Sequence, residues 1–396
     1  MKVNHNPEKQ FKKLTICFVV EYYYPHVGGG ELLFQKLAEG LVKEGHRCSV
    51  ITCRLPGAER FDTVNGVDIY RVWVPRWADR YWFTVLSFFP AWRIAKQADI
   101  IHTMSYNGAF SAWLIARLQK KPAVITICEV LGKKWMRLNF NFLIGFLCKV
   151  IEDTMLCLPY DGYSCISKCT LNCLTDWGID SKKLFLAYPG VSSQLFKQKS
   201  DRMAVAVRET LGIQKDTFLY LYYGRPGIMK GLEYLIRAVP LIKKKIFDSK
   251  LLLILSKKPA FKYKEMTNLI RTLRLNNVMV KNSIPRELLP QYIQASDCVV
   301  VPSLNEGFGF TCVEACTMGK PVVATHVGSL PEIVYGKYVL VPSHDSEALA
   351  DGVVKVYRGV YETGEPKSYQ WENTIKHHVK AYNKIIGEWK RRKKKN

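Results

Sequence analysis

Two stretches of this chain, DCVVVPS ending at Ser303 and KPVVAT ending at Thr325, are continuously apolar rather than alternating. A strand that is apolar on both faces must be covered on both, which calls for a parallel sheet inside an α/β architecture. Between the two runs, Asn305–Gly309 supplies a polar, glycine-containing turn. Phe310–Met318 then has helical composition, closed by Gly319, Lys320 and Pro321. The order is strand, glycine turn, helix, strand, and the N-terminus of such a helix is a ready site for an anion.

Two carboxylates sit in this unit, Glu306 before the helix and Glu314 within it. If the intervening residues are helical, eight positions separate them by roughly 12 Å. Paired glycosidase carboxylates stand about 5–9.5 Å apart. These two therefore address different parts of one long ligand rather than share a single bond. The plain alternative is that Glu306 complements the helix dipole and Glu314 is a surface charge.

A chain of 396 residues has room for two domains with full cores. Its 58 basic against 34 acidic residues leave a net charge of +24. That excess implies nucleic acid, an anionic membrane face or an acidic substrate, and charge alone does not choose among them. The twelve cysteines include no CxxC pair. Cys165, Cys169 and Cys173 recur every four residues, which reads as one helical face packed as apolar surface rather than as a zinc site. Free thiols in this number point to a reducing compartment. LTICFVV runs into EYYYPHVGGGE without a small-residue cleavage site and reads as a first buried strand rather than an export signal. The longest apolar stretches, YWFTVLSFFPAW and FNFLIGFLC, fall short of the roughly 20 residues that span a bilayer. The expectation is a cytoplasmic protein, with peripheral attachment to the inner face of a membrane left open.

Along the chain, the first strand, a glycine loop, an amphipathic helix and a second strand form a βαβ unit. Gly28, Gly29 and Gly30 stand where strand hands over to helix, so backbone there can approach a phosphate or sugar, or simply turn tightly. Tyr70–Gln97 interleaves Trp73, Trp77, Trp82 and Trp92 with Arg76, Arg80 and Arg93. That pattern suits a membrane interface or stacking on single-stranded nucleic acid, as well as an ordinary core helix with basic edges. KKWMRLNFNFLIGFLCKV is a second apolar-basic run, flanked by Lys133, Lys134, Arg137 and Lys149. His102 and Glu129 fall at or just after strand ends, where ligands of open α/β sheets bind. Lys197–Glu209 is polar and reads as an interdomain linker. Beyond it, a buried strand runs into Gly224-Arg225 and then Lys230-Gly231 at the head of a helix, two cations suited to a diphosphate. WENTIKHHVKAYNKIIGEWK is a long helical stretch, and the terminal RRKKKN reads as a solvated tail or an anionic-lipid contact.

PSLNEGFGFTCVEACTMGKPVVATHVGSLPEIV closely resembles the signature of the retaining nucleotide-sugar glycosyltransferases of family 4. The pattern places Glu306, Glu314, Gly319, Pro321, Val322, Val323, Ala324, Gly328 and Glu332, and Gly224-Arg225 with Lys230-Gly231 matches a second family element. The resemblance implies the GT-B fold: α/β, with two Rossmann-like parallel-sheet domains facing across a cleft. It divides the chain into 1–200 on the acceptor side and 201–370 on the nucleotide-sugar side, with a helix of about 371–396 crossing back. It implies sugar transfer from a nucleotide-diphosphate-sugar with retention. Glu314 would bind the ribose hydroxyls, and Glu306 with the amides of Gly307, Phe308 and Gly309 would meet the donor sugar. Arg225 and Lys230 would neutralise the diphosphate, with no metal and no cofactor required, and a diphosphate oxygen would receive the acceptor proton. Gly28, Gly29, Gly30, His102 and Glu129 fall on the acceptor side. The chain departs from the family at Cys128, where a His is usual, and at Ser192, where an Asp is usual.

The aromatic-arginine segments make the expected acceptor a membrane lipid or lipid-linked glycan and the expected partner an anionic membrane surface, not nucleic acid. A rival reading is a catalytically silent, basic sugar- or membrane-binding protein on the same fold, supported by Cys128 and Ser192. A second rival is a nucleic-acid binder, supported by the net charge.

Overall fold

The computed structural model describes residues 12–26, 28–137, 142–196 and 201–394. The polar N-terminal stretch up to residue 11, residues 138–141 of the second apolar-basic run, residues 197–200 of the expected linker and the last two residues lie outside the described residues. The chain divides into two compact units, Met1–Gly190 with Trp371–Asn396, and Val191–Gln370.

The first unit opens with β1 (Thr15–Val19), α1 (Gly29–Lys43), β2 (Arg47–Cys53) and a hairpin of β3 (Phe61–Val64) and β4 (Val67–Val72). The hairpin turns on Asn65-Gly66, both at positive φ, the pair that a two-residue turn of this hand requires. Two short helices, α2 (Asp79–Leu86) and α3 (Phe88–Ala95), lead to β5 (Ile100–Met104). Then come α4 (Asn107–Leu118), β6 (Ala123–Ile127), α5 (Phe142–Cys157), β7 (Gly162–Cys165), α6 (Lys168–Trp177) and β8 (Leu184–Leu186). The strands pair in the order β3-β4-β2-β1-β5-β6-β7-β8, parallel except for the hairpin. Nearly every side chain of β1, β5, β6 and β7 is buried, as strands covered on both faces demand.

The second unit begins with α7 (Ser193–Phe196), α8 (Asp201–Thr210), β9 (Phe218–Gly224), α9 (Leu232–Lys245) and β10 (Ser249–Leu255). It continues through α10 (Ala260–Thr272), β11 (Val278–Asn282), α11 (Leu289–Ala295), β12 (Cys298–Val301) and α12 (Phe310–Thr317). It ends with β13 (Val322–Thr325), α13 (Leu330–Ile333), β14 (Gly336–Val341), α14 (Ser346–Tyr357) and β15 (Glu362–Gly364). Its sheet runs β11-β10-β9-β12-β13-β14-β15, parallel except for β15. The last helix, α15 (Trp371–Lys393), belongs to the first unit, where it packs on α1, β7 and β8.

Two expectations change here, and a third is refined. The polar stretch from Asp201 is helix rather than linker: Ala204 and Val207 pack with Ala295 of α11, and the Arg208 guanidinium holds Asp297 at 2.8 Å. Of the apolar run Met203–Val207, only Ala204 and Val207 are buried, and these two suffice to anchor the helix. The terminal basic run is solvated as expected but begins as helix: α15 continues through the exposed Arg391, Arg392 and Lys393, with Arg392 3.8 Å from Asp161 and from Glu388. Cys165 ends β7 and precedes α6, so only Cys169 and Cys173 share a helix. Among the described residues no cluster of three His, Cys, Asp or Glu is placed to hold a metal.

Candidate functional site

In the second unit the chain leaves β9 for β10 on one side and returns to β12 on the other. The loops after β9 and β12 therefore diverge, and a crevice opens at the carboxyl ends of these two strands. After β9 come Arg225, a 3-10 turn at Ile228–Lys230 and Gly231. Gly231 has φ +56, and a Cβ there would overlap the Pro302 carbonyl, so the two loops touch through backbone. The Leu304 amide donates to the Met229 carbonyl at 2.8 Å and locks them together.

This contact aligns Lys230 with Glu306. The Lys230 ammonium donates to Glu306 Oε2 at 2.8 Å, and the Ser303 hydroxyl donates to the same oxygen at 3.0 Å. The Glu306 carbonyl accepts from the Ser329 amide at 3.0 Å and its hydroxyl at 3.2 Å. Both ends of the residue are thus fixed. Gly309, at φ +85, opens α12, and the Phe308 ring is buried against Phe310 and Tyr369. The Phe308 side chain is thus taken up by the protein itself. Arg225 is exposed, its guanidinium without an ion pair among the described residues, while its carbonyl accepts from the Tyr222 hydroxyl at 3.2 Å.

Glu314 is not a surface charge. It is 1% exposed on α12, with the Tyr223 hydroxyl donating to one carboxylate oxygen at 3.0 Å and Arg286 paired with the other. Burial pushes its carboxyl above the usual carboxylate range, and Arg286 opposes that rise. Arg286 also lies over the Phe196 ring, 5.4 Å from its centroid. The sequence reading missed Arg286, which sits in the turn after β11 and shows no motif. The two carboxylates have separate cations, and α12 begins only at Phe310, so Glu306 belongs to the loop and Glu314 to the helix.

The first unit has its own switch point, between β1 and β5. A Cβ at Gly30 would come within 2.7 Å of Met104 Sδ at the end of β5 and displace that side chain, and Gly28 and Gly29 complete the turn into α1. Around this loop lie residues that sequence reasoning did not select. Glu21 accepts from Asn107 at 2.6 Å and lies 3.5 Å from Arg80. The Tyr22 hydroxyl donates to Asp79 at 2.6 Å, and His26 is 3.0 Å from the Glu31 carboxylate. Burial pushes the Glu21 carboxyl up against the pull of Arg80 and Asn107. Arg80, read from the sequence as a membrane-interface cation, is instead bound into this cluster. Glu129 is half-buried beyond β6, beside Cys128, whose thiol burial and then Glu129 push up to about 12.

His102 is a correction. It lies fully buried in the middle of β5, with Nδ1 2.5 Å from the Tyr382 hydroxyl and Nε2 2.8 Å from the Thr126 hydroxyl. Desolvation holds it well below its ordinary value, and the ring presents no atom to an acceptor. It pins α15 to the sheet.

Two parallel-sheet units, each with a polar cluster at its switch point, define a GT-B protein. Sucrose-phosphate synthase from Thermosynechococcus elongatus superposes with a TM-score of 0.75 at 22% identity over 95% of each chain. HepE of Anabaena, solved with UDP-glucose, superposes at 0.70 with 18% identity, over 95% of this chain and 98% of that one. Two family models meet nearly end to end on the sequence: Glycosyltransferase Family 4 over residues 27–195 and Glycosyl transferases group 1 over residues 206–370. An uncharacterized glycosyltransferase of Methanocaldococcus jannaschii is 28% identical over 93% of this chain and 98% of its own. A D-inositol 3-phosphate glycosyltransferase of Xylanimonas cellulosilytica is 29% identical over 64% of this chain, which spans 62% of that relative. The chain belongs to the family 4 glycosyltransferases of GT-B fold, and it is an enzyme.

Proposed function

We propose that this glycosyltransferase moves a sugar, with retention at the anomeric carbon, from a nucleotide-diphosphate-sugar to a membrane lipid or lipid-linked glycan. The observation that carries the donor half is the pairing of Lys230 with Glu306 and of Arg286 with Glu314 at one switch point. These fixed charges suit a ligand that is long, anionic in the middle and hydroxylated at both ends. Glu314 receives the ribose hydroxyls on the lone pairs that Tyr223 and Arg286 leave open. Glu306 and the amides of Gly307–Gly309 receive the sugar. Arg225 and Lys230 neutralise the diphosphate as charge builds on the leaving group, so that no metal is needed, and a diphosphate oxygen takes the acceptor proton. The UDP-glucose complex of HepE supports a donor of this class.

The acceptor falls to the first unit, where Gly28–Gly30, Glu21, Asn107 and Glu129 gather at the carboxyl ends of the strands. No described helix is long and apolar enough to cross a membrane, so a lipid acceptor is met from the surface of a bilayer. A thermal-shift screen against UDP-, GDP- and ADP-sugars identifies the donor, and labelled donor with membrane extract tests transfer. Arg225→Ala and Glu314→Ala are each expected to lose donor affinity, and unchanged affinity in both would refute the assignment.

A further inference from the structure

A cavity of about 1340 Å³ opens on the first unit where no ligand has yet been placed. The register sets its floor: Cys17 pairs with Ser49 and Ser49 with Asp68, and Tyr70 lies two residues beyond Asp68, so these side chains line one face of β1, β2 and β4. Helix α3 forms the wall with Phe89 and Arg93, and Gln97 stands just past its end. The cavity reaches the amino ends of β1 and β2, and Glu21, His26, Glu31 and Asn107 do not line it. It thus shares none of these four residues with the carboxyl-end cluster, which it approaches through Arg71, whose guanidinium donates to the Tyr24 carbonyl at 3.3 Å.

Its lining includes five arginines and, among carboxylates, Asp68 alone. Arg54 donates to the Ala58 carbonyl of its own loop, and the buried Arg71 of β4 donates to the carbonyls of Glu59 and Tyr24 and lies 3.5 Å from Asp62. Arg47, Arg60 and Arg93 are exposed and have no ion pair among the described residues. Three exposed rings stand with them: Phe61 at 51%, Trp73 at 68% and Phe89 at 80% exposure. Guanidinium groups beside exposed rings match a phosphate that carries apolar substance next to it.

The neighbouring helices say where such a ligand comes from. The chain steps in one direction from β4 through β5 and β6 to β7, so right-handed crossovers put α2 to α5 on one side of the sheet. Phe83, Ala91, Ala112 and Met155 share one core there. On the outside of that layer, Phe142, Phe146 and Val150 form an i, i+4, i+8 stripe on α5 with Leu147 beside it, 40–68% exposed. The opposite side of α5 buries Glu152, Met155 and Leu156. An apolar helix surface on the same side of the sheet as a basic, ring-lined groove matches the acyl boundary and phosphate plane of an anionic bilayer.

We propose that the groove between α3 and the β2–β4–β3 ribbon is a lipid headgroup phosphate site that seats this helical layer on an anionic bilayer. It deepens the membrane part of the function above, and is independent of the donor chemistry. The full chain is sedimented with phosphatidylcholine vesicles, with and without phosphatidylglycerol. Binding is expected only with phosphatidylglycerol. The combined substitution of Arg47→Gln, Arg60→Gln and Arg93→Gln should weaken it roughly 100-fold, about one surface charge's worth per arginine. Phe89→Ser should weaken it too, with melting temperature and donor-induced thermal shift unchanged in both variants. Millimolar glycerophosphate should not release the protein, and release would overturn the bilayer as the source of the phosphate. Equal binding to neutral vesicles, no vesicle binding, or an undiminished affinity in the arginine variant would overturn the site. So would vesicle indifference combined with salt-sensitive, arginine-dependent binding of a single-stranded oligonucleotide. A donor shift that persists without vesicle binding removes this inference alone, and vesicle binding without any donor shift removes the donor assignment alone.

Discussion

Glu314 shows how a single side chain commits its surroundings. A carboxylate this buried needs both a cation and a hydrogen-bond donor, and Arg286 and Tyr223 supply them. Arg286→Ala strands the charge and should destabilise the protein by about 3 kcal/mol in urea denaturation. Adding Glu314→Gln to that variant should recover much of the loss, because an amide is cheaper to leave buried than an unpaired carboxylate. Gly328 makes the same point through backbone. At φ +54, with the Glu306 carbonyl against it, it leaves no room for a Cβ. Gly328→Ala should cost about 1–2 kcal/mol in backbone strain alone and displace Glu306, so that the donor-induced thermal shift falls more than the melting temperature itself.

At the scale of an element, α15 carries the largest buried commitments of the first unit. His378 Nδ1 donates to the Thr374 carbonyl at 2.8 Å, and Nε2 accepts from the Ser164 hydroxyl at 3.0 Å, an arrangement that requires a neutral ring. Desolvation lowers its pKa to about 4 from an ordinary 6.5. The sign follows directly. Between pH 6.5 and 4 the unfolded chain takes up a proton that the folded one refuses, so stability falls as pH falls, by about 3 kcal/mol across that window. Above pH 6.5 this group contributes no slope. Glu21 and Glu314, whose carboxyls burial pushes up, act in the opposite direction. The measurement is therefore a difference: urea midpoints at pH 7 and pH 4.5 for wild type and His378→Gln, with the flatter profile expected in the variant. Ending the chain before Trp371 should leave His102 and Ser164 buried without Tyr382 and His378, and the product should be recovered unfolded or insoluble.

For the whole molecule, the two units should answer to different ligands. Hydrogen exchange with a bound nucleotide-sugar is expected to slow the loops after β9 and β12 in Val191–Gln370, and anionic vesicles should slow α2 to α5 in the first unit. Protection in the same residues by both ligands would contradict the separate assignments. What the chain determined by itself is what lies close together along it. Continuous apolar runs demanded parallel sheets, and Gly224-Arg225, Lys230-Gly231 and Glu306 to Glu314 marked the loops at strand ends, because a loop and its helix start are local features. Tertiary structure alone decided which of these groups meet. Arg286 reaches Glu314 across 28 residues, Asn107 reaches Glu21 across 86, and Tyr382 covers His102 across 280. Each of those pairings depends on the order of strands in a sheet, and an order assembled by crossovers leaves no periodic trace in the sequence.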